Sequence, residues 1–282
     1  MKGIGLGQYY NTDSVIHRLD PRIKLVCSVL FIAVIFFADN AVSYLFSLFM
    51  CILIALFAKI PLKMLFGSLK PILFIVAFTS FFNIFWTKGE ILLTPEDFFI
   101  SVYLEGIVAA VYMTVRLIAL VVGTLVLISY TTTPIALTYG LESLLSPLAK
   151  IKVPVHDFAM MMSIALRFIP TLMEETEKII NAQKARGADF ESGGIVKRAK
   201  AFIPILIPLF VSAFRRAEEL ATAMECRCYN GSPNRTRLNV LKLGLGDAVF
   251  AAVSVLLCAA LILMTSKVGV ADLSGILPSV LL

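Results

Sequence analysis

Five long stretches of this chain are predominantly apolar. They run over residues 23–38, 41–58, 71–86, 104–129 and 246–266. The fourth, LEGIVAAVYMTVRLIALVVGTLVLIS, meets a charge only at Glu105 and Arg116. About 20 apolar residues in a helix cross the roughly 30 Å hydrocarbon core of a bilayer. Backbone in that core must satisfy its own hydrogen bonds, and uninterrupted runs of this length do so as helices. Composition agrees: 59% of the 282 residues are hydrophobic, 16% are charged and mean hydropathy is +0.90, outside the range of soluble globular domains. The expectation is an all-α integral membrane protein with about five transmembrane helices. Residues 1–11 are polar and glycine-rich, and the first apolar run starts at Leu25. No cleaved signal is therefore expected, and the first span stays in the mature protein.

The connections set the orientation. Asp20-Pro21-Arg22 opens the first span, with Asp20 placed to cap a helix and Pro21 preorganised for its first turn. Asp39-Asn40 separates the first two spans, and Lys59, Lys63 and Lys70 fill the next connection. Trp86 stands as an interfacial anchor before TKGEILLTPEDF, a loop with three acids and one lysine. With five spans and a cytoplasmic N-terminus, only Lys88 and Lys267 among the 25 Lys and Arg fall outside. Basic residues are retained on the cytoplasmic side, so the N-terminus is expected inside and the C-terminus outside. The net charge of +6 is explained by this placement beside spans, and no nucleic-acid partner is expected. The chain divides into 1–130 with transmembrane helices 1–4, a cytoplasmic region 131–243, and 244–282 with the last span and an external tail.

The cytoplasmic region has its own organisation. From His156 to Gly231 run two segments, each beginning apolar, ending charged and closing on an arginine between small residues. At an offset of 41, Glu177 falls on Glu218, Ile179 on Leu220, Ala182 on Ala223 and Arg186 on Arg227. Apolar residues recur at three- and four-residue steps in both, so both are amphipathic helices. A helix from His156 to Arg186 would be on the order of 45 Å long, more than a bilayer core. Pro170 and Pro204 are expected to bend the two helices, since a mid-helix proline removes a hydrogen bond and crowds the preceding turn. The apolar stretches 158–169 and 201–214 are short for spans and suit interfacial or buried positions. With a first helix at about Pro134 to Lys150, the region holds three long, bent cytoplasmic or interfacial helices.

Enzymatic chemistry fails on inventory. His17 and His156 have no partner at ligand spacing, and no nucleophile and base are suitably spaced. No phosphate-binding G-x-x-x-x-G-K-[ST] occurs, so any ATP-driven work belongs to a partner. Three of the five cysteines lie in apolar runs and two form Cys226-Arg227-Cys228, a pattern with neither a disulfide framework nor a zinc site. No cofactor or metal is expected. Arg186 and Arg227 are the sharper candidates. A cation at a helix C-terminus is favoured by the macrodipole, which makes ordinary capping one reading. The recurrence of the pair, with Ala185 and Gly187 or Cys226 and Cys228 keeping the surroundings small, favours entry into two similar acidic grooves, where guanidinium forks onto carboxylate. Arg116 lies inside a span and must face protein or a water pocket, or snorkel, with a structural pairing favoured over a polar contact to a transported molecule or a partner subunit. The acids Glu174, Glu175, Glu177, Glu218 and Glu219 read as a solvated face, and Met160-Met161-Met162 as core filling ahead of its alternative, an adaptable binding surface.

Several motifs together resemble a known family: DPRIKL near the N-terminus, ALRFIPTL, NAQKARGADF followed by GGIVKRAK, and AMECRCYNG followed by NRTR. They are similar to the transmembrane T component of energy-coupling factor (ECF) vitamin transporters, and the resemblance covers about residues 7 to 266. It implies a non-catalytic, multi-pass subunit of a prokaryotic plasma membrane. Two ABC-type ATPase subunits would each take one arginine motif at the end of a coupling helix, and a small membrane S component would capture the vitamin. Carried over, Ala185-Arg186-Gly187 is the first motif and Cys226-Arg227-Cys228 the second, with Cys228 departing from the family's usual glycine. The apolar faces at 158–169 and 201–214 would meet the S component. The rival is a self-contained permease or channel whose own spans form the substrate path. It should place several polar groups in its spans, where only Arg116 and Glu105 are evident.

Overall fold

A computed structural model describes residues 9–38, 40–86, 91–93, 102–188, 190, 194–231 and 243–268. Its helices are α1 (Pro21–Phe36), α2 (Ala41–Phe57), α3 (Leu62–Trp86), α4 (Leu104–Thr124), α5 (Pro134–Leu145), α6 (Val155–Ala185), α7 (Ile195–Cys226) and α8 (Leu245–Val268). The all-α reading stands, with one small addition between α3 and α4. There β1 (Ile91–Leu93) pairs antiparallel with β2 (Val102–Tyr103). Asp39, the loop residues around Lys88, the side chains of Trp86, Glu105 and Lys267, and the tail from residue 269 lie outside the described residues, as do the expectations placed on them.

Local chemistry explains the helix limits. Asp20 caps α1 by accepting the Arg22 N–H at 2.9 Å, and Pro21 fills the first helical position as expected. The lysine-bearing connection after α2 differs from expectation, because residues 62–70 are already helical and Pro71 lies inside α3. Pro71 forfeits one backbone hydrogen bond, a loss that transmembrane helices tolerate. The fourth span continues from α4 into a π-helical turn, Leu125–Ser129, and α5 continues into a 3₁₀ segment, Ser146–Ile151. By length and composition three helical stretches can cross a membrane, Lys63–Ile84, Gly106–Ser129 and Leu245–Thr265. With 16 and 17 residues, α1 and α2 rise only about 24 and 26 Å, somewhat less than a full hydrocarbon core.

The described residues fall into two compact units, one within Met1–Leu141 and Leu241–Leu282, the other within Glu142–Val240. In the first, α4 packs on α1, α2 and α3, and α8 packs on α1 and α2. Its polarity is that of a membrane protein. Ser28, Ser43 and Ser47 are buried between helices, while Phe36, Phe49 and Leu56 stand exposed. Gly123 lets α4 approach α1 closely, since a Cβ there would lie 2.1 Å from the Phe31 ring. Arg116 donates to the Ala38 carbonyl at 2.8 Å and to the Tyr44 hydroxyl at 2.6 Å, and sits over the Tyr44 ring. The favoured structural pairing is therefore found. At one end of this unit Lys24, 2% exposed, donates to the carbonyls of Thr131 at 2.9 Å and His17 at 3.3 Å. Asp247 at the start of α8 accepts the Asp20 N–H at 2.7 Å and the Gly244 N–H at 2.8 Å. These contacts fasten α1 to the chain after α4 and to α8. His17 is occupied locally: its Nε2 donates to the Tyr10 carbonyl and its Nδ1 accepts from the Ser14 hydroxyl.

Candidate functional site: two matched helix ends

The second unit is built around α6 and α7, 31 and 32 residues long, or about 46 and 48 Å each. Both carry prolines inside. Pro170 lies in α6 and Pro204 in α7, as read from the sequence, with Pro208 one turn further as a third interruption. Each removes one backbone N–H from the helical ladder.

The two helices end on the same pair of crossed backbone hydrogen bonds. In α6 the last helical residue is Ala185 and Arg186 is the C-cap. Gly187 follows with φ +84°, its N–H bonding the Lys184 carbonyl at 3.0 Å, and the Ala188 N–H bonds the Gln183 carbonyl at 3.0 Å. In α7 the last helical residue is Cys226 and Arg227 is the C-cap. Cys228 follows with φ +57°, its N–H bonding the Glu225 carbonyl at 2.8 Å, and the Tyr229 N–H bonds the Met224 carbonyl at 2.9 Å. Each is a Schellman end, a left-handed residue after the cap with the crossed pair of hydrogen bonds that satisfies the final carbonyls. The departure at Cys228 leaves the cap geometry unchanged, because the crossed bonds hold a non-glycine residue in the left-handed region. All six motif residues are exposed. The pseudo-repeat is thus a repeat of geometry, and it delivers two guanidinium groups on rigid helix ends.

What joins the helices was missed in the sequence. Glu175, read as part of a solvated face, accepts from the Ser212 hydroxyl at 2.5 Å and from the Arg216 guanidinium at 2.9 Å. These bonds hold its carboxyl below the usual carboxylate range, the Ser212 bond contributing most. Glu175 and Arg216 are separated by 41 positions, the offset of the repeat, so equivalent points of the two helices meet. That offset was the available signal. Arg186 follows Glu175 by eleven positions and Arg227 follows Arg216 by eleven, which puts each end on the order of 16 Å beyond the contact. Near the other end of α6, His156 donates to Glu142 on α5 at 2.8 Å, a partner that sequence spacing had not supplied.

The apolar faces stand open. On α7 a groove of about 820 Å³ is lined by Ile203, Leu206, Ile207, Phe210, Val211 and Phe214, with Arg215 and Glu218 at its end. On α6, Phe158 and Met161 are 54% and 57% exposed. The reading of the methionine run as core filling is corrected here, since Met161 and Met162 both face outward. Exposed unbranched methionines make an adaptable contact surface. No group of three potential metal-ligating side chains occurs among the described residues.

The chain is similar to known proteins over most of its length. The family described as "Cobalt transport protein" (CbiQ) matches residues 12–238. A Ruminiclostridium cellulolyticum protein called energy-coupling factor transporter transmembrane protein EcfT is 48% identical over 264 residues, 94% of this chain and 98% of its own length. Proteins of the same description are 51% identical in Brevibacillus brevis, over 91% of this chain and 96% of that one, and 46% identical in Bacillus subtilis, over 93% and 98%.

Proposed function

This chain belongs to the CbiQ/EcfT family of energy-coupling factor transporter transmembrane proteins, and from that premise we propose that it is the scaffold on which two ABC-type ATPases drive a substrate-capturing S component. The observation that carries the reading is the identity of the two helix ends, Ala185-Arg186-Gly187 and Cys226-Arg227-Cys228, each closed by the same crossed hydrogen bonds. Two copies of one groove, on two related ATPases, are the natural receptor for two copies of one presented arginine.

The mechanism follows from stiffness. ATP binding draws the two ATPases together and shifts the seated helix ends relative to each other. Helices that are packed and bonded at Glu175 and Arg216 move as bodies instead of deforming. The displacement is therefore carried past that contact to the apolar faces at 158–169 and 201–214. The open groove on α7 and the exposed methionines of α6 are the surface we assign to the S component, whose docking changes as the faces move. In this reading 1–130 and 244–282 anchor the device through five spans with the N-terminus inside, and 131–243 is its cytoplasmic coupling region. ATP hydrolysis and substrate recognition both belong to partners.

The test is co-purification with the ATPases of the same cell, comparing wild type with Arg186→Glu, Arg227→Glu and the double variant. Each single change should weaken assembly or uncouple ATP hydrolysis from uptake, and the double should abolish both. A wild type that recruits no ATPase, with transport intact in the variants, would make the arginines ordinary helix caps. A self-contained permease would then be the better account.

A further inference from the structure

A second, smaller feature lies in the membrane unit. The end of α2 and the segment before α1 enclose a pocket of about 310 Å³ lined by Asp13, Ser14, Val15, Arg18, Leu56, Phe57 and Lys59. Its chemistry is divided. Val15, Leu56 and Phe57 are 72%, 64% and 61% exposed, and the last two continue the outward apolar face of α2. Arg18 and Lys59 supply two cations against the one acid, Asp13, which Arg18 meets at 3.4 Å in an exposed pair.

The position of these charges along the chain fixes their depth. Helix α2 contains no charged residue, and Lys59 is the first after it. The pocket therefore sits where α2 leaves hydrocarbon, at the level of lipid headgroups. Lys59 is also held in place. Its backbone is left-handed at φ +55°, its N–H bonds the Leu56 carbonyl at 3.0 Å, and the Ile60 N–H bonds the Ala55 carbonyl at 3.1 Å, so it occupies a rigid helix end. An apolar wall continuous with the lipid face, topped by two cations at headgroup depth, matches a molecule with an acyl chain below a phosphate.

We propose that this pocket binds an anionic glycerophospholipid of the surrounding leaflet, its phosphate between Arg18 and Lys59 and its first acyl methylenes on Val15, Leu56 and Phe57. Asp13 opposes the phosphate and moderates the affinity. Two cations and one acid leave one net basic charge, and one basic side chain at an anionic surface corresponds to about a fivefold preference over a zwitterionic lipid.

The experiment is native mass spectrometry of the full chain released from nanodiscs of equal phosphatidylglycerol and phosphatidylcholine. Wild type should retain phosphatidylglycerol about fivefold over phosphatidylcholine. The double variant Arg18→Gln with Lys59→Gln should lose that preference, and Lys63→Gln, which changes a neighbouring lysine outside the pocket, should keep it. Asp13→Asn should raise retention, a gain that a misfolded protein cannot produce. Equal retention of the two lipids by wild type overturns the proposal. So does an equal loss with Lys63→Gln, which would mean a diffuse basic belt, or full displacement by millimolar glycerol 3-phosphate, which would mean a site for soluble phosphate.

Discussion

Cys228 occupies a conformation that L-residues avoid. At φ +57° its Cβ crowds the neighbouring carbonyl, which costs roughly 1 kcal/mol of steric strain that glycine, lacking Cβ, does not meet. The crossed bonds from Cys228 and Tyr229 offset that cost and leave Arg227 facing outward at the same turn as Arg186. Replacing Cys228 by glycine should stabilise the end by about 1 kcal/mol, slowing exchange of the Tyr229 amide about fivefold without changing ATPase recruitment. A valine there, branched at Cβ, should fray the last turn and reduce recruitment even though Arg227 itself is intact. Loss of recruitment with the glycine variant would show that the thiol, and not the cap, is what the partner reads. The position of this end was legible in the sequence, because a helix end is written in a few adjacent residues. The fate of Cys228 was not, since a left-handed cysteine depends on hydrogen bonds that composition does not announce.

At the scale of elements, the contact of α6 with α7 decides whether two arginines can work as one device. Glu175 and Arg216 place the meeting point equally far from both ends, so a shift of one end has a counterpart at the other. Glu175→Gln keeps a group able to accept from Ser212 but removes the charge that Arg216 needs. We expect ATPases still to assemble, since both arginines remain, while transport per ATP hydrolysed falls. Retained coupling would mean that the helices are joined by their apolar contacts alone. The pH dependence has a definite sign. The native carboxyl titrates below its ordinary value, so its contribution is complete above the ordinary carboxylate range and is lost as pH falls through the lower native value. Spectroscopic contact between labels on α6 and α7 should therefore hold from neutral pH down into the ordinary carboxylate range and loosen only below it, and Glu175→Gln should abolish that dependence. The helices themselves were readable from periodicity, which is local. The Glu175 pairing was hidden because one carboxylate on a charged face looks like any other until a second helix lies against it.

For the molecule as a whole, orientation is the property on which the coupling reading depends, for cytoplasmic ATPases can reach Arg186 and Arg227 only from inside. The chain carries its own reporters. Cys27, Cys51 and Cys258 are buried, whereas Cys226 and Cys228 are exposed free thiols on the second helix end. A membrane-impermeant maleimide applied to intact cells should therefore leave the wild-type chain unlabelled and should label inverted vesicles stripped of ATPases at two positions. Lys88→Cys, in one of the two places where a basic residue is expected outside, should reverse the pattern for its single added thiol. Labelling of Cys226 and Cys228 in intact cells would put both arginines on the wrong face. It would also contradict the charge distribution, because nearly all of the 25 basic residues would then have been carried across the membrane against the retention of Lys and Arg on the cytoplasmic side. The same experiment separates the scaffold from the permease. ATPases that protect Cys226 and Cys228 from the reagent, and restore labelling when washed away, occupy the helix end, while a permease working alone leaves both thiols equally reactive with and without them.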